Sequence, residues 1–196
     1  MKQIQINLKK LDSADLKLIV DYLNKGKVIA YPTDTIYGLG CLANNRGAIK
    51  KIRRIKQQKN DQPFLILVDS LAMVKKYCVV GRWQSEFLKS VWPGPVTLVL
   101  RSRGILPREL SGGQDSVAVR LPKSDFIAKI IKKVKTPLVS TSLNKTGDKN
   151  LVAICGLEEY FGNIGPDLAI NAGKLQQKAS KLVDLRDIES IKILRK

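Results

Sequence analysis

A chain of 196 residues fits one domain, 1–196, with enough length to bury a real core. Hydrophobic residues at 44% and charged residues at 27% are ordinary for a globular protein and exclude disordered, collagen-like and disulfide-scaffold classes. The 35 Lys+Arg against 17 Asp+Glu give a net charge of +18, and there is no histidine, which excludes Ser-His-Asp and Cys-His nucleophile systems, His-bearing zinc sites and an imidazole base. Any chemistry must therefore use hydroxyls, carboxylates, Lys, Arg and backbone amides. So positive a chain attracts polyanions, with RNA, DNA, an acidic membrane surface or an anionic small molecule as candidates, while a merely solvated basic face remains the alternative.

The first predicted element is a helix from Ser13, with Leu16, Ile19, Val20 and Leu23 on one face and Gly26 as its stop. Residues 27–31 read as a buried strand closed by Pro32, Ala48, Ile49, Ile52 and Ile55 as a second helix, and 64–68 as another strand, together a βαβ-like unit. Helices are predicted at 70–77, 84–91, 125–134 and 157–161, and strands at 96–101, 116–121, 137–141, 168–171, 181–185 and 191–194. The stretches 103–114 and 143–153 carry loop chemistry. The fold class expected is α/β with a central sheet. The three cysteines, Cys41, Cys78 and Cys155, form no CxxC pair, so neither a disulfide framework nor a metal cluster is indicated. The N-terminal MKQIQINLKK lacks a secretory h-region and no apolar run reaches the roughly 18–20 residues of a membrane helix, so a cytoplasmic protein without a membrane partner is expected.

Several segments carry chemistry. Tyr31-Pro32-Thr33-Asp34-Thr35-Ile36-Tyr37-Gly38-Leu39-Gly40 sets hydroxyls and a carboxylate beside glycines after a strand, suited to a small polar ligand or simply to capping a turn. Gly38-Leu39-Gly40-Cys41-Leu42-Ala43 matches the dinucleotide pattern only formally, because Asp61 falls before the next strand rather than at its end. From Arg46 to Lys59 seven cations, Arg46, Lys50, Lys51, Arg53, Arg54, Lys56 and Lys59, occur without one acid, and a helix with Ile49, Ile52 and Ile55 inward would fan them over its exposed arc. A second basic run holds Lys129, Lys132, Lys133 and Lys135. Ser140, Ser142 and Asn144 alternate onto one face of an extended strand, and Arg120 stands alone at the end of an apolar one.

The block at 31–40, Trp92-Pro93-Gly94-Pro95-Val96-Thr97, Ser116-Val117-Ala118-Val119-Arg120, Ser140-Thr141-Ser142-Leu143-Asn144 and the terminal Leu194-Arg195, in this order, resemble the YrdC/TsaC family of L-threonylcarbamoyladenylate synthases. The resemblance runs over nearly the whole chain. It implies a YrdC-like twisted open mixed sheet flanked by helices, with a basic concave groove. It further implies condensation of L-threonine, bicarbonate and ATP to threonylcarbamoyl-AMP and pyrophosphate, after which downstream threonylcarbamoyl transferase proteins modify adenosine 37 of tRNA. Position by position, Thr35, Arg120, Ser140 and Ser180 would contact L-threonine, and Ser116, Ser142, Asn144 and Arg195 the nucleotide. Lys56 and Arg195 would carry the catalytic electrostatic role, Mg²⁺ would accompany ATP rather than occupy a protein cage, and tRNA or double-stranded RNA contact is implied.

There is one departure. Gln58 and Gln62 stand at nucleotide-binding positions where the family places Arg and Lys, and the loss of a charged hydrogen bond to phosphate costs on the order of 1.5–3 kcal/mol. Lys59, one residue along, could compensate, and Lys181 adds a cation after Ser180. Two readings follow, an active synthase with a rearranged phosphate clamp, or a paralogue acting mainly as an RNA- or ribosome-binding protein with a weakened nucleotide site.

Overall fold

The computed structural model describes residues 1–187 and 191–195. In chain order its strands are β1 (Lys2–Gln5), β2 (Ile29–Pro32), β3 (Tyr37–Leu42), β4 (Leu65–Leu67), β5 (Val96–Arg101), β6 (Ser116–Arg120), β7 (Leu138–Ser142), β8 (Leu168–Asn171), β9 (Lys181–Asp184) and β10 (Lys192–Arg195). Its α-helices are α1 (Ser13–Asn24), α2 (Arg46–Lys56), α3 (Leu71–Tyr77), α4 (Arg82–Val91), α5 (Arg108–Ser111), α6 (Asp125–Val134) and α7 (Leu157–Phe161). The strands make one mixed sheet in the order β1-β8-β2-β3-β7-β4-β6-β5-β9-β10.

Local chemistry sets the helix ends. The side chains of Asp12, Asn45 and Ser124 accept backbone N–H bonds at the starts of α1, α2 and α6, satisfying donors that a helix start leaves unpaired. The βαβ unit, by contrast, does not form. β3 lies between its two strands, and β2/β3, β3/β7 and β7/β4 all pair antiparallel, so β2 and β4 run in opposite directions three places apart. The glycines of β3 serve close packing, since a Cβ on Gly40 would stand 2.5 Å from the Val139 carbonyl oxygen and 2.6 Å from Tyr31 Cε1. β1 pairs only with β8, at the sheet edge, which suits its alternating polarity. The 103–114 stretch contains α5, whose Leu110 is fully buried.

Two apolar cores lie on opposite faces of the sheet. On one face α2, α3, α4 and α7 cover Ala30, Leu39, Ile66, Val119 and Val139. On the other, α1 and α6 place Ile19, Leu23, Phe126, Ile127, Ile130 and Ile131 over Ile29, Tyr31, Leu42, Leu67, Leu138, Leu168 and Ile170. That second cover stops at the N-terminal end of β7. Beyond it the sheet is left without helices, and this bare half is where the side chains of the next section converge. No helix of the described residues is long and apolar enough to cross a membrane.

Two glycine substitutions separate tight packing from backbone entropy. Gly40→Ala is expected to destabilise the fold by about 1–3 kcal/mol through overpacking, whereas Gly47→Ala on exposed α2, with only Asn45 Oδ1 at 3.5 Å, should stabilise it by roughly 0.5–1 kcal/mol. Urea denaturation of both variants checks the pair.

Candidate active site

Residues paired across a sheet share a face, and the register puts Gly40, Ser140, Leu65, Ala118 and Val99 in one row over β3, β7, β4, β6 and β5. Ser140, Leu65, Ala118 and Val99 of this row floor a cavity of about 390 Å³, within the range of small-molecule pockets. Leu65, Leu67, Ala118, Val99 and Leu182 give it an apolar base, and Thr33, Thr35, Thr97, Ser116, Ser140, Thr141, Ser142 and Ser180 give it a wall of hydroxyls. Arg120, Arg186 and Arg195 supply positive charge at its boundary.

Arg120 is buried at the end of β6. It donates through Nε to the Gly94 carbonyl (3.0 Å), through one terminal nitrogen to Thr35 Oγ1 (2.9 Å) and through the other to Asp34 Oδ1 (2.7 Å). Two chain segments, 34–35 and the one at Gly94, are thereby held to the end of β6 by one guanidinium. Burial lowers its pKa, Asp34 opposes that shift, and a guanidinium stays charged throughout. Asp34 is fully engaged, because its second oxygen accepts from the Lys123 backbone N–H at 3.0 Å. Thr33 closes the turn beneath, accepting from the backbone of Thr35 and Ile36.

Lys56 closes α2 and is buried too. Its ammonium meets the Ser142 carbonyl (2.9 Å) and hydroxyl (3.4 Å), and the Asn144 carbonyl (2.9 Å) and Oδ1 (2.8 Å). All four acceptors are neutral. Burial lowers its pKa from 10.5 to about 8. The ammonium lies one hydrogen bond behind the cavity wall, orienting Ser142 and Asn144 rather than lining the space itself. The Asn144 amide in turn donates to the Asp148 carbonyl, and the Thr146 N–H to the Lys56 carbonyl, which pins the 143–148 loop to the end of α2.

On the far side Ser180 Oγ and Thr97 Oγ1 share a 2.8 Å hydrogen bond. Arg195 donates from Nε and a terminal nitrogen to the Ser180 carbonyl at 3.0 and 2.8 Å. Ser116 Oγ lies 3.5 Å from Gln114 Oε1. Thr35, Ser116, Arg120, Ser140, Ser142, Ser180 and Arg195 thus share one cavity, and Asn144 and Lys56 stand behind it. Gln58 and Gln62 do not join them. They sit in the loop after α2, where Gln58 Nε2 reaches the Gln62 carbonyl at 3.4 Å. Lys59 and Lys181 are exposed and outside the lining as well. The sequence reading missed Asp34, Thr97 and Arg186. Asp34 and Thr97 lie inside quoted blocks but their roles depend on partners 86 and 83 residues away, whereas Arg186, held by Asp184, had no local signal.

The fan of seven exposed cations on α2 also needs correction. Arg53 turns inward, donating to the carbonyls of Lys59 and Glu109 with its guanidinium 4.6 Å above Phe64, and Lys56 is at the site. Arg46 and Lys50 face Glu109 from α5, and Lys51 meets Asp167 at 2.8 Å. The missing acids come from distant sequence. Lys129, Lys132, Lys133 and Lys135, by contrast, are exposed, and among the described residues none has an ion-pair partner.

A basic, hydroxyl-lined cavity over an apolar floor, on the bare half of a mixed α/β sheet, defines a small-molecule site for a polar, anionic ligand. Residues 21–196 match the Sua5/YciO/YrdC family model, described as telomere recombination, and the chain belongs to that family. Threonylcarbamoyl-AMP synthase of Pyrococcus abyssi is 32% identical over 164 residues, covering 82% of this chain and 48% of the relative, so the chain spans about half the relative's length. The crystal structure of P. abyssi Sua5 complexed with L-threonine superposes with a TM-score of 0.88 at 28% identity, over 99% of this chain and 56% of that one. E. coli YciO gives 0.88 at 25% identity over 100% and 94%.

The Lys56 environment has a direct readout. NMR of ¹³C-dimethylated protein should show one lysine titrating near pH 8, absent in Lys56→Gln. Because the folded value lies below the unfolded one, the cost of burying the ammonium is full below about pH 8 and is relieved as pH rises towards the ordinary lysine value. The unfolding free energy of the wild type should therefore gain on Lys56→Met across that window. All lysines titrating at their ordinary value would contradict the assignment.

Proposed function

We propose that this chain is a threonylcarbamoyl-AMP synthase. In the proposed reaction the amine of L-threonine condenses with bicarbonate, losing water to give a carbamate. A carbamate oxygen then attacks the α-phosphate of ATP and pyrophosphate leaves. No protein nucleophile is needed, which suits a chain without histidine, because the work is positioning and charge stabilisation. The observation that carries the reading is the junction of Arg120 with Thr35 in one hydroxyl-walled cavity. The name of the P. abyssi relative supports it, as does the L-threonine complex of Sua5.

In this reading Thr35, Arg120, Ser140 and Ser180 receive L-threonine, with the guanidinium facing its carboxylate. Ser116, Ser142 and Arg195 receive the nucleotide, and Asn144 and Lys56 hold Ser142 in place with positive charge at its back. Gln58 and Gln62, at the loop after α2, leave phosphate binding to those groups. Among the described residues no group of three His, Cys, Asp or Glu side chains is placed to hold a metal ion, and Asp34 is already committed to Arg120 and Lys123. Mg²⁺ is accordingly proposed to arrive on the ATP phosphates with its own waters.

The product would pass to transferase proteins acting on tRNA, and α6 is the surface proposed to meet RNA. Its lysines repel one another at helical spacing, a cost that a phosphate backbone would offset.

Two measurements test these assignments. Pyrophosphate release should require ATP, L-threonine and bicarbonate together, with Ser180→Ala raising the KM for L-threonine roughly tenfold. No threonine-dependent pyrophosphate at millimolar substrate overturns the synthase reading. The Lys129→Glu/Lys132→Glu/Lys133→Glu variant should lose tRNA affinity and lower the salt slope by about 2–3 with pyrophosphate release unchanged. Equal tRNA affinity removes α6 from the account.

A further inference from the structure

The Gly38-Leu39-Gly40 motif is not consumed by the substrate assignments above, and its geometry points to one more residue. Two glycines two apart on a strand share a face, and the Tyr31 ring lies across both. A Cβ on Gly40 would be 2.6 Å from Tyr31 Cε1 and 3.2 Å from its hydroxyl, and one on Gly38 would be 3.6 Å from Tyr31 Cζ and 3.1 Å from Ser140 Oγ. Side chains at either position would push the ring away, so the glycines let the phenol reach from β2 over β3 to Ser140 on β7.

The hydroxyl brought there is fully buried and has no hydrogen-bond partner. Such atoms are rare and costly. Tyr37, at the other end of the same motif, shows the ordinary outcome: its phenol donates to the Gly173 carbonyl at 2.7 Å and accepts from the Ala172 N–H at 2.8 Å. Burial raises the pKa of the phenol, and the groups acting on it beyond that are the Ser140 hydroxyl by hydrogen bonding, Cys41 and Arg120; Ser140 and Arg120 are two of the proposed L-threonine contacts. A serine hydroxyl has one proton to give and two lone pairs to receive with. If it receives from Tyr31, its own proton is committed to the cavity.

We propose that Tyr31 is a positioning residue for the amino-acid substrate. When the substrate carboxylate occupies the cavity, Ser140 Oγ accepts the Tyr31 proton and donates its own to the carboxylate, so that two hydroxyls in series reinforce one contact. In the complex the approach of the phenol to Ser140 becomes part of the substrate contact. The proposal rests on the synthase reading for the identity of the carboxylate.

The test is calorimetric binding of L-threonine to the wild type, Tyr31→Phe, Ser140→Ala and the double variant, with steady-state kinetics alongside. Tyr31→Phe should keep or raise the thermal midpoint of the free protein, weaken L-threonine roughly tenfold in Kd and KM, and leave kcat and the KM for ATP unchanged. The double variant should bind no more weakly than Ser140→Ala. A Tyr31→Phe protein that binds L-threonine like the wild type overturns the proposal and leaves the synthase reading standing, whereas a wild type that binds no L-threonine overturns both. The ¹³Cζ resonance of labelled Tyr31 in the unmutated protein gives a check free of folding effects. It should shift on saturation with L-threonine, and an unmoved resonance overturns the relay.

Discussion

The Lys56 ammonium is buried among oxygen atoms that carry no formal charge. A buried charge is expensive unless its hydrogen bonds are met, and here three N–H protons face four acceptors on Ser142 and Asn144. Several features depend on that arrangement. It holds the end of β7 and the following loop against α2, and it leaves the ammonium poised near neutral pH. It also keeps a positive charge unneutralised behind the cavity wall. Arg120 solves the same problem differently, with Asp34 as a carboxylate partner and two neutral acceptors completing the fork.

Both cations matter because of how the sheet is covered. α1 and α6 bury one side of β8, β2, β3 and the start of β7, and then the helices end while the sheet continues. Side chains that would otherwise face a helix face open space, and the strands place small or polar residues there. Ser140 and Ala118 lie in one cross-strand row where larger residues would fill the cavity. On the opposite face, one residue along each strand, Val139, Val119 and Leu39 are fully buried under helices. Alternation along a strand thus separates the core from the site.

Much of this is legible in the sequence. Residues 96–101, 125–134, 157–161 and 168–171 form the elements that their patterning predicts, because local patterning and packing agree there. β3 carries no strand pattern, since Gly38 and Gly40 supply no side chains of their own and instead make room for a tyrosine ring from the neighbouring strand. Charge was the least legible property. The cations at 46–59 look like one exposed fan, yet two of them point inward and three meet acids from α5 or from Asp167. Partners so distant in sequence leave no local trace. The blocks around Thr35, Arg120, Ser140 and Ser142 were recognisable because each is short and contiguous, whereas the roles of Thr97 and Arg186 emerge only when strands meet.

On the proposed reading, the uncompensated charge on Lys56 serves an anionic ligand in the adjoining cavity. A phosphate-bearing ligand should favour the ammonium and raise its pKa, and by linkage its affinity should fall as pH climbs through the free-protein value. The most direct measurement is the Lys56 titration repeated in saturating ATP with Mg²⁺, followed by lysine NMR. The account predicts a midpoint moved up from about 8 towards the ordinary lysine value, with adenosine having no such effect. A midpoint indifferent to ATP, or one moved equally by adenosine, would contradict it.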